Sequence, residues 1–448
     1  DPAAAGRGHG DAAGDRVLAV GPWMRFASGD VPAGVVLVQT SGYARPGLGA
    51  ARYALDRDQA ERAPTRFRRR SANGRWFHIA EPAIGYTMAG AVGDGTGEIR
   101  RDGTVVPDAG TDDTAAIQAL YDHLAASGEG GGVALVEPRQ FNVSTIEMTG
   151  SDIRTIGLGE ASHVHTVTRT GRPSAFVAFG TSATRRLARL GWENMRISGG
   201  AAWGNSPFES NGVLCGYGVR TRWADDVEVA RCFVDHLSDS GVSIRDGLRP
   251  QVRGNRVHHV AQGIDIFFNC VDGRVIGNIV TEVKVVAAIN VEGRTSIGYP
   301  RGTLVSGNTV DGAVTSGIDI IEARDTVVAG NDVSNVSGGH PGFPGYSFGI
   351  QLFGSPATRV AGNRIEDIRG AASRDGRTQP TGLGICVAAN SGDSIIVGNI
   401  SRRCSRAACG VNDTQGTSPT NNVLIEGNTF DTDVVLEGNV SLRPLERR

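Results

Sequence analysis

The chain has 448 residues, of which 40% are hydrophobic, and it contains 64 glycines. This length allows one large domain or two to three ordinary ones, and the many glycines favour turns over long helices. The formal net charge of −2 excludes the global basic field of a nucleic-acid-binding protein, and no run approaches the roughly 18 apolar residues that cross a membrane.

The chain begins without methionine, with the small and polar stretch DPAAAGRGHGDAAGD. This composition is typical of a mature end left after removal of an export signal, so we expect a secreted or periplasmic protein. The six cysteines include no CxxC pair, which argues against a zinc ribbon. Cys404 and Cys409 could bridge a small loop or could equally remain buried free thiols.

Residues 111–127, TDDTAAIQALYDHLAAS, predict an amphipathic helix. Ile117, Leu120, Tyr121 and Leu124 fall on one face of it. Thr111 or Asp112 can cap its first turn. The apolar face of this helix would cover the open edge of the repeat that follows from about residue 130, an edge that would otherwise invite aggregation.

A Gly-Asn pair recurs along the second half of the chain, each time after a short β-branched run. The pairs are Gly254-Asn255, Gly277-Asn278, Gly307-Asn308, Gly330-Asn331, Gly362-Asn363, Gly398-Asn399 and Gly427-Asn428. The shortest spacing is 23 residues, and longer ones are explained by insertions. Such a repeat is typical of a solenoid. Three short strands per unit predict a parallel β-helix, in which each strand pairs with its copies in neighbouring coils.

The Gly-Asn pair itself predicts a tight corner between two strands. Asn tolerates a left-handed backbone and can hydrogen-bond locally, while Gly lets the chain turn. If these corners stack coil upon coil, the Asn amides can also bond each other in a ladder, as in cross-β stacks.

Three segments, GDG (93–95), TDDTAAIQAL (111–120) and GGGVALVEP (130–138), resemble the start of the pectate-lyase-like superfamily of right-handed parallel β-helix proteins. That group includes polysaccharide lyases, glycoside hydrolases, epimerases and phage tailspikes. Two further segments, SGYARPGLGAARYAL (41–55) and NGRWFHI (73–79), look like the small β-rich N-terminal module of some tailspikes and secreted β-helix enzymes.

The resemblance implies an all-β chain: a right-handed, single-stranded parallel β-helix with an N-terminal capping helix and a small β-rich module. We expect the module at 1–90, a lead-in segment with the capping helix at 91–129, and the β-helix at 130–448. Two features depart from the family pattern. The segment TGEIRRDGTVVPDA (96–109) is inserted between GDG and TDDT, and VEPRQFNV stands where the family usually has a Pro-x-Gly-x-Tyr motif.

The resemblance is specific for the fold and not for the reaction, because this fold hosts many activities. The DPHE motif of the alginate epimerases is absent from the sequence. So are the polygalacturonase set Asn-Thr-Asp, Gly-Asp-Asp and Gly-His-Gly, and the Arg-x-Pro-x-x-Arg motif of pectate lyase. The family therefore supplies no catalytic residues, and the site has to be argued from geometry.

Insertions indicate which face of the coil is elaborated. They precede the GIDI-type strand at 336–348 and 369–382, and they follow it at 292–302 and 412–421. Loops on both sides of one strand column would form the walls of a groove, with that column as the floor. Long loops on a rigid scaffold are where function usually lies, and such a groove suits an extended polymer.

In the floor strands the Ile residues alternate inward, so their neighbours are expected to point outward. Acids then fall in three successive coils, at Asp265, Glu292 and Asp319, with Glu322 just beyond the strand. Adjacent coils lie about 4.8 Å apart and alternate coils about 9.6 Å. Both ranges overlap the carboxyl separations of glycoside hydrolysis, and packed acids raise one pKa to give a general acid beside a base.

The predicted substrate-binding residues are the other outward floor positions and the groove walls: Arg245, Phe267, Asn290, Arg294, Tyr299, His340, Tyr346, Gln351 and Phe353. Phe267 and Phe353 are expected on the outer side of the floor, either as exposed rings on which sugars stack or as rings hidden by loop packing. Tyr299, His340 and Tyr346 come from the walls. His258 and His259 belong to another strand column and are interpreted as structural or solvated.

These residues favour cleavage or transfer of glycosidic bonds in an extended poly- or oligosaccharide by two of the three acids. A polysaccharide lyase is the first alternative. Its base would be Lys284, Tyr299 or His340, and Arg245 or Arg294 would neutralise the uronate. Lys284 is expected to be an unpaired amine among apolar neighbours, or simply a surface lysine. A non-catalytic, tailspike-like glycan-binding protein is the second alternative. No cofactor is expected, although Ca²⁺ is compatible with the acids, and a homotrimer is compatible with the fold.

Overall fold

The structure is a computed structural model that describes residues 16–58, 63–100, 104–106, 109–127, 131–167, 173–201, 216–338, 345–371, 381–412, 420–432 and 434–437. The chain divides into two compact units, residues 1–92 and 93–448. No helix in the described ranges is long and apolar enough to cross a membrane.

The first unit is a small β-rich module. Its strands are Arg16–Val20, Val35–Thr40, Arg52–Leu55, Arg68–Arg70, Trp76–Ile79 and Ile84–Gly85, and its two short 3₁₀ helices are Trp23–Ser28 and Thr87–Ala89. The first two strands pair in parallel and the sheet then continues antiparallel. Trp23 stacks on Tyr53 in its core with ring centroids 3.6 Å apart.

The second unit is a right-handed parallel β-helix, as predicted, whose coils contribute strands to three columns. The column that ends at the Gly-Asn corners, here called the pre-corner column, contains Gly132–Val136, Glu228–Ala230, Gln251–Arg253, Arg274–Ile276, Leu304–Ser306, Val327–Ala329, Arg359–Ala361, Ile395–Val397 and Leu424–Glu426. The post-corner column contains Gln140–Val143, Ile279–Thr281, Thr309–Ala313, Asp332–Ser337, Arg364–Arg369, Ile400–Arg402 and Thr429–Phe430.

The third column, here called the floor column, contains Ile146–Glu147, Phe176–Phe179, Val219–Arg222, Ala287–Glu292, Ser316–Ile321, Tyr346–Phe353, Thr381–Ala388, Ala407–Asn412 and Val434–Glu437. Four long strands each run through two columns. Ile153–Thr166 and Gly191–Ser198 join the pre-corner and post-corner columns, while Phe233–Arg245 and Arg256–Phe267 join the post-corner and floor columns. Two short pairs lie beside the columns: Glu98–Ile99 with Val105–Val106, and Leu187–Ala188 with Ala224–Asp225.

Stacked apolar side chains form the interior of the β-helix. In the floor column the residues in register are Ile264, Ile289, Ile318, Ile350 and Ile385, and all are fully buried. Each such side chain contributes about 1.5–3 kcal/mol of burial free energy. The row confirms that Ile alternates inward along these strands.

The predicted capping helix extends over Thr114–Ala126 and buries Ile117, Leu120, Tyr121 and Leu124. The Tyr121 hydroxyl lies 2.7 Å from the hydroxyl of Thr155 in the pre-corner region. The N-cap residue is Asp113, so the prediction of Thr111 or Asp112 at that position is wrong. Asp112 instead accepts a hydrogen bond from the Thr114 amide, at 3.1 Å.

The described cysteines are free thiols, namely Cys232, Cys270, Cys386, Cys404 and Cys409, and all are buried. The alternative of a bridge between Cys404 and Cys409 is therefore wrong. Cys409 lies inside a floor strand and is fully buried, while the Cys404 sulfur lies 3.4 Å from the Ser401 hydroxyl.

An asparagine ladder runs along the corner that follows the pre-corner column. Six successive hydrogen bonds of 2.9 Å, each from Nδ2 to the next Oδ1, join Asn255, Asn278, Asn308, Asn331, Asn363, Asn399 and Asn428. Each of the first six Asn backbone amides also donates to the Oδ1 of the next Asn. The left-handed residue at each corner is the glycine, with φ of 61–65°, and not the asparagine.

We predict that Asn308→Ala lowers the free energy of unfolding by about 2–4 kcal/mol, because it leaves buried donors and acceptors on both neighbouring coils without partners. Urea unfolding followed by circular dichroism measures this loss. Asn428→Ala, at the partly exposed end of the described ladder, is the matched control and should cost less. Equal losses at the two positions would contradict a cooperative ladder.

Candidate functional site

The outer side of the floor column carries two rows of residues in register, here called the carboxyl face. The first row contains Arg220, Ser243, Asp265, Asn290, Asp319 and Gln351. The second row, two residues further along each strand, contains Arg222, Arg245, Phe267, Glu292, Ile321 and Phe353. Most of the predicted site residues are therefore brought together on neighbouring coils.

The remaining predicted residues lie around or away from these rows. Glu322 follows its strand at a left-handed corner with φ of 45° and accepts a 2.9 Å hydrogen bond from Thr295. Arg294 lies 3.9 Å from Glu292. Tyr299 lies beneath the Arg324 guanidinium at 4.7 Å.

Tyr346 begins its strand, away from the acids, and stacks on Phe348 with ring centroids 6.1 Å apart. It also packs against the apolar cluster around Leu383 near the last coils. His340 lies outside the described residues.

Asp265 and Asp319 are buried, whereas outward positions were expected to be exposed. Their exposed fractions are 0% and 3%. Burial, with smaller contributions from the nearby charges of Asp239 and Glu292, raises the pKa of Asp265 to about 8. Burial likewise raises the pKa of Asp319 to about 7, with Glu292 adding to the effect. Both carboxyl groups are thus protonated over much of the neutral range.

Glu292 is the accessible acid of the carboxyl face, with a quarter of its side chain exposed. It accepts a 3.0 Å hydrogen bond from Asn290 Nδ2 on its own strand, and Arg294 lies at its other oxygen. Glu292 therefore has a hydrogen-bond donor and a cation beside it, whereas Asp265 and Asp319 in the first row are shielded from water.

The register corrects the expected spacing of the acids. Asn290 occupies the position between Asp265 and Asp319, so these two acids lie two coils apart, about 9.6 Å. Glu292 lies one coil from each of them and two residues along, about 8 Å on the diagonal. No two of the three acids are direct neighbours.

For two residues the structure distinguishes between the alternatives that the sequence leaves open. Phe267 is 6% exposed, because the Arg245 guanidinium lies over its ring at 5.2 Å. Lys284 is not an unpaired amine, since it forms an ion pair with Glu282 two residues earlier on the same side of the chain.

The acids do not fit a shared Ca²⁺ ion. Ca²⁺ needs oxygen ligands at about 2.3–2.6 Å, and carboxyl groups two coils apart cannot both reach one ion. Within the part of the chain that the structure describes, no three His, Cys, Asp or Glu side chains converge as a cation site.

A second constellation, which the sequence reasoning set aside, lines an open cavity of about 970 Å³ beside the post-corner column. Its histidines are His236, His258 and His259, with ring centroids 4.8–6.0 Å apart. His236 and His259, like Asp235 and His258, are 23 residues apart, which is the shortest spacing of the repeat. This spacing is the signal that could have placed them together.

Comparisons with known proteins agree with the fold. A family described as "Right handed beta helix region" matches residues 287–438. No curated protein sequence matches the chain.

Several solved structures share the architecture at low sequence identity. The enzymatically active domain of bacteriophage CBA120 tailspike protein 2 has a TM-score of 0.57 at 14% identity, covering 91% of this chain and 59% of that one. A mutant DFA-IIIase from Arthrobacter chlorophenolicus in complex with DFA-III has a TM-score of 0.55 at 15% identity, covering 74% and 83%. The Streptococcus pneumoniae surface protein and adhesin PfbA has a TM-score of 0.53 at 14% identity, covering 80% and 97%.

The buried acids predict a pH dependence of stability. Because the folded-state pKa of Asp265 is raised to about 8, its favourable contribution is complete below the unfolded value near 4 and is lost as pH rises towards 8. Asp265→Asn removes this loss. The variant should gain stability relative to the native protein between pH 4 and pH 8, by up to about 1.4 kcal/mol per pH unit.

Thermal unfolding at pH 4, 6 and 8 tests this expectation. Asp325→Asn is the control, because Asp325 is exposed at a left-handed corner that Asn tolerates. A stability difference between Asp265→Asn and the native protein that does not change with pH would show that Asp265 is ionised in the fold.

Proposed function

We propose that the protein is a carbohydrate-active enzyme that hydrolyses glycosidic bonds of an extended poly- or oligosaccharide at the carboxyl face. The observation that carries the proposal is the pairing of accessible Glu292 with Asp319, whose pKa burial raises to about 7. One is placed to accept a proton and the other to donate one, which is the division of roles that glycoside hydrolysis needs.

In this mechanism Asp319 protonates the leaving glycosidic oxygen while Glu292 takes a proton from the attacking water. Because the water attacks the anomeric carbon from the side of the sugar ring opposite the leaving oxygen, this mechanism inverts the anomeric configuration. Asp319 is favoured over Asp265 as the acid, since Asp265 is fully buried and is engaged by the Ser240 hydroxyl. We assign Asp265 to holding the first row in place.

Buried oxygens of the first row support a hydroxyl-rich ligand. Asp265, Asn290 and Asp319 each have one side-chain oxygen that finds no hydrogen-bond partner in the described protein. Unsatisfied buried acceptors are costly, and three in succession along one row are unusual. Sugar hydroxyls are donors that would satisfy such a row, coil by coil.

The structural neighbours are compatible with this proposal but do not decide it. A tailspike domain described as enzymatically active, a DFA-IIIase bound to DFA-III and an adhesin all share the fold. Because one fold hosts both enzymes and binding proteins, the argument rests on the acid pair.

A lyase remains the second candidate because of Arg245. Its Nε is buried without a hydrogen-bond partner among the described residues. Its positive charge also acts on Asp265, where it opposes the rise in pKa that burial causes. Such a guanidinium could neutralise the carboxylate of a uronic acid. Of the bases proposed for this route, Lys284 is engaged by Glu282 and Tyr299 lies beneath Arg324, so hydrolysis is the better-supported reaction.

We predict that Glu292→Gln and Asp319→Asn each lower turnover of a cleaved glycan by at least about 100-fold, because each removes one proton-transfer group. A screen of extended glycans with the native protein, read by new reducing ends and by absorbance near 230 nm, identifies the substrate and the reaction class. Hydrolysis releases reducing ends without that absorbance, whereas lyase action produces both.

Glu322→Gln is the matched control, because it changes a corner acid of the same neighbourhood that lies outside both rows. It should leave turnover within a few-fold of native. Full activity in both Glu292→Gln and Asp319→Asn would refute the assignment of the carboxyl face. Absence of turnover, together with retention of glycan, would identify a binding protein.

A further inference from the structure

The histidine cavity is a built site that the carboxyl face does not use. Its floor is formed by outward residues of the post-corner column, where Arg196 is in register with Phe233 and Arg256, and Asp235 with His258 and Thr281. Glu98 and Arg100 line it from the short hairpin near the start of the β-helix. Its volume of about 970 Å³ is at the upper end of the range for small-ligand pockets.

A fully buried carboxylate fixes the polar groups of this cavity. Asp235 has no exposed surface and accepts two hydrogen bonds from Arg196, at 3.1 and 2.6 Å, and one of 2.7 Å from His236 Nδ1. These bonds hold the pKa of Asp235 well below its usual range against the opposing effect of burial. His236 is thereby held in one orientation, as an imidazole beside a carboxylate usually is.

Every cation that lines the cavity already has a carboxylate partner. Arg196 pairs with Asp235 at 2.6 Å. Arg100 pairs with Glu98 at 3.0 Å, and Arg256 pairs with Glu160 at 3.0 Å. The fourth carboxylate, Glu282, pairs with Lys284. Among the described residues, the lining thus offers many donors and acceptors but no arginine that lacks a carboxylate partner and could capture an anion.

The histidines add neutral hydrogen-bonding groups. Burial lowers the pKa of His258 and lowers that of His259 to about 4, with the neighbouring His236 ring adding to the effect. His258 Nδ1 lies 2.9 Å from the Thr281 hydroxyl, which fixes its ring. Neutral imidazoles can both donate and accept, so they match hydroxyl groups, which do the same.

We propose that this cavity is a second ligand site, separate from the carboxyl face, that binds an uncharged oligosaccharide through its hydroxyl groups. His258, His259 and Arg196 form its polar contacts, and the buried carboxylate of Asp235 holds Arg196 in place. Matched ion pairs and neutral imidazoles favour a ligand rich in hydroxyls over a uronate or a phosphate, because an anion would meet carboxylates whose cations are already engaged. The site stands independently of whether the carboxyl face hydrolyses glycans.

Histidine-ring NMR on the full chain tests the proposal. The probes are neutral tetrasaccharides of β-1,4-glucose, β-1,4-mannose and β-2,1-fructose, with tetragalacturonate as the anionic counterpart. At least one neutral probe should shift the ring signals of His236, His258 and His259 in a saturable manner, while exposed His78 of the N-terminal module stays unchanged. Tetragalacturonate should bind at least about tenfold more weakly than that probe.

Variants separate this site from the carboxyl face. His258→Leu, and His259→Asn at a left-handed position that Asn tolerates, should each weaken the affinity about fivefold to tenfold by removing a hydrogen bond. Asp311→Asn is the matched control, because Asp311 is the register partner of Thr281 in the next coil and does not line the cavity. Glu292→Gln should leave the histidine shifts intact.

Two results would overturn the proposal. One is the absence of histidine shifts with all three neutral probes, or tighter binding of tetragalacturonate. The other is loss of the shifts in Glu292→Gln with retention in His258→Leu and His259→Asn, which would place the ligand on the carboxyl face instead.

Discussion

The vertical register between coils is the constraint on which the rest of the structure depends. Each strand must pair with its copy about 4.8 Å above and below, and the asparagine ladder locks that register at one corner of every coil from Asn255 to Asn428. A register slip of one residue would turn the inward row of Ile side chains outward, and it would break the asparagine ladder at the same time. The paired backbone and the amide ladder therefore specify one alignment.

This register has a direct chemical consequence, because it turns sequence neighbours in the repeat into spatial neighbours on a face. Asn290 separates Asp265 from Asp319, so that their charges are not forced onto adjacent coils. Burial then keeps these two acids protonated into the neutral range, while Glu292 on the next row stays accessible to solvent. The floor column thus holds two buried acids with raised pKa values and one acid that solvent can reach.

The fold could be predicted because its signals are local and repeated. Gly-Asn spacing fixed the corners, and counting from them aligned Asp265, Asn290 and Asp319 correctly. What could not be predicted is what covers each residue. Alternation gives the side of a strand, but the burial of Phe267 under Arg245 depends on a side chain from the preceding coil.

The errors elsewhere also have physical causes. Lys284 and Glu282 are two residues apart on an extended chain, so their side chains lie on the same face and form an ion pair. The prediction considered only the apolar neighbours of Lys284 and therefore missed this pair. The histidine cavity escaped notice because its members come from several coils and from the hairpin at Glu98, far away in sequence. The spacing of 23 residues between His236 and His259, which equals the shortest spacing of the repeat, was the one signal in the sequence that these rings stack on neighbouring coils.

The central claim is that Asp319 protonates the leaving oxygen while Glu292 activates a water molecule. The most direct test is the anomeric configuration of the first product, followed by proton NMR during cleavage of the glycan that the native protein hydrolyses. The account predicts inversion, with the opposite anomer appearing before mutarotation. Initial formation of the retained anomer would contradict it, because retention requires that a carboxylate, and not a water molecule, attacks the anomeric carbon.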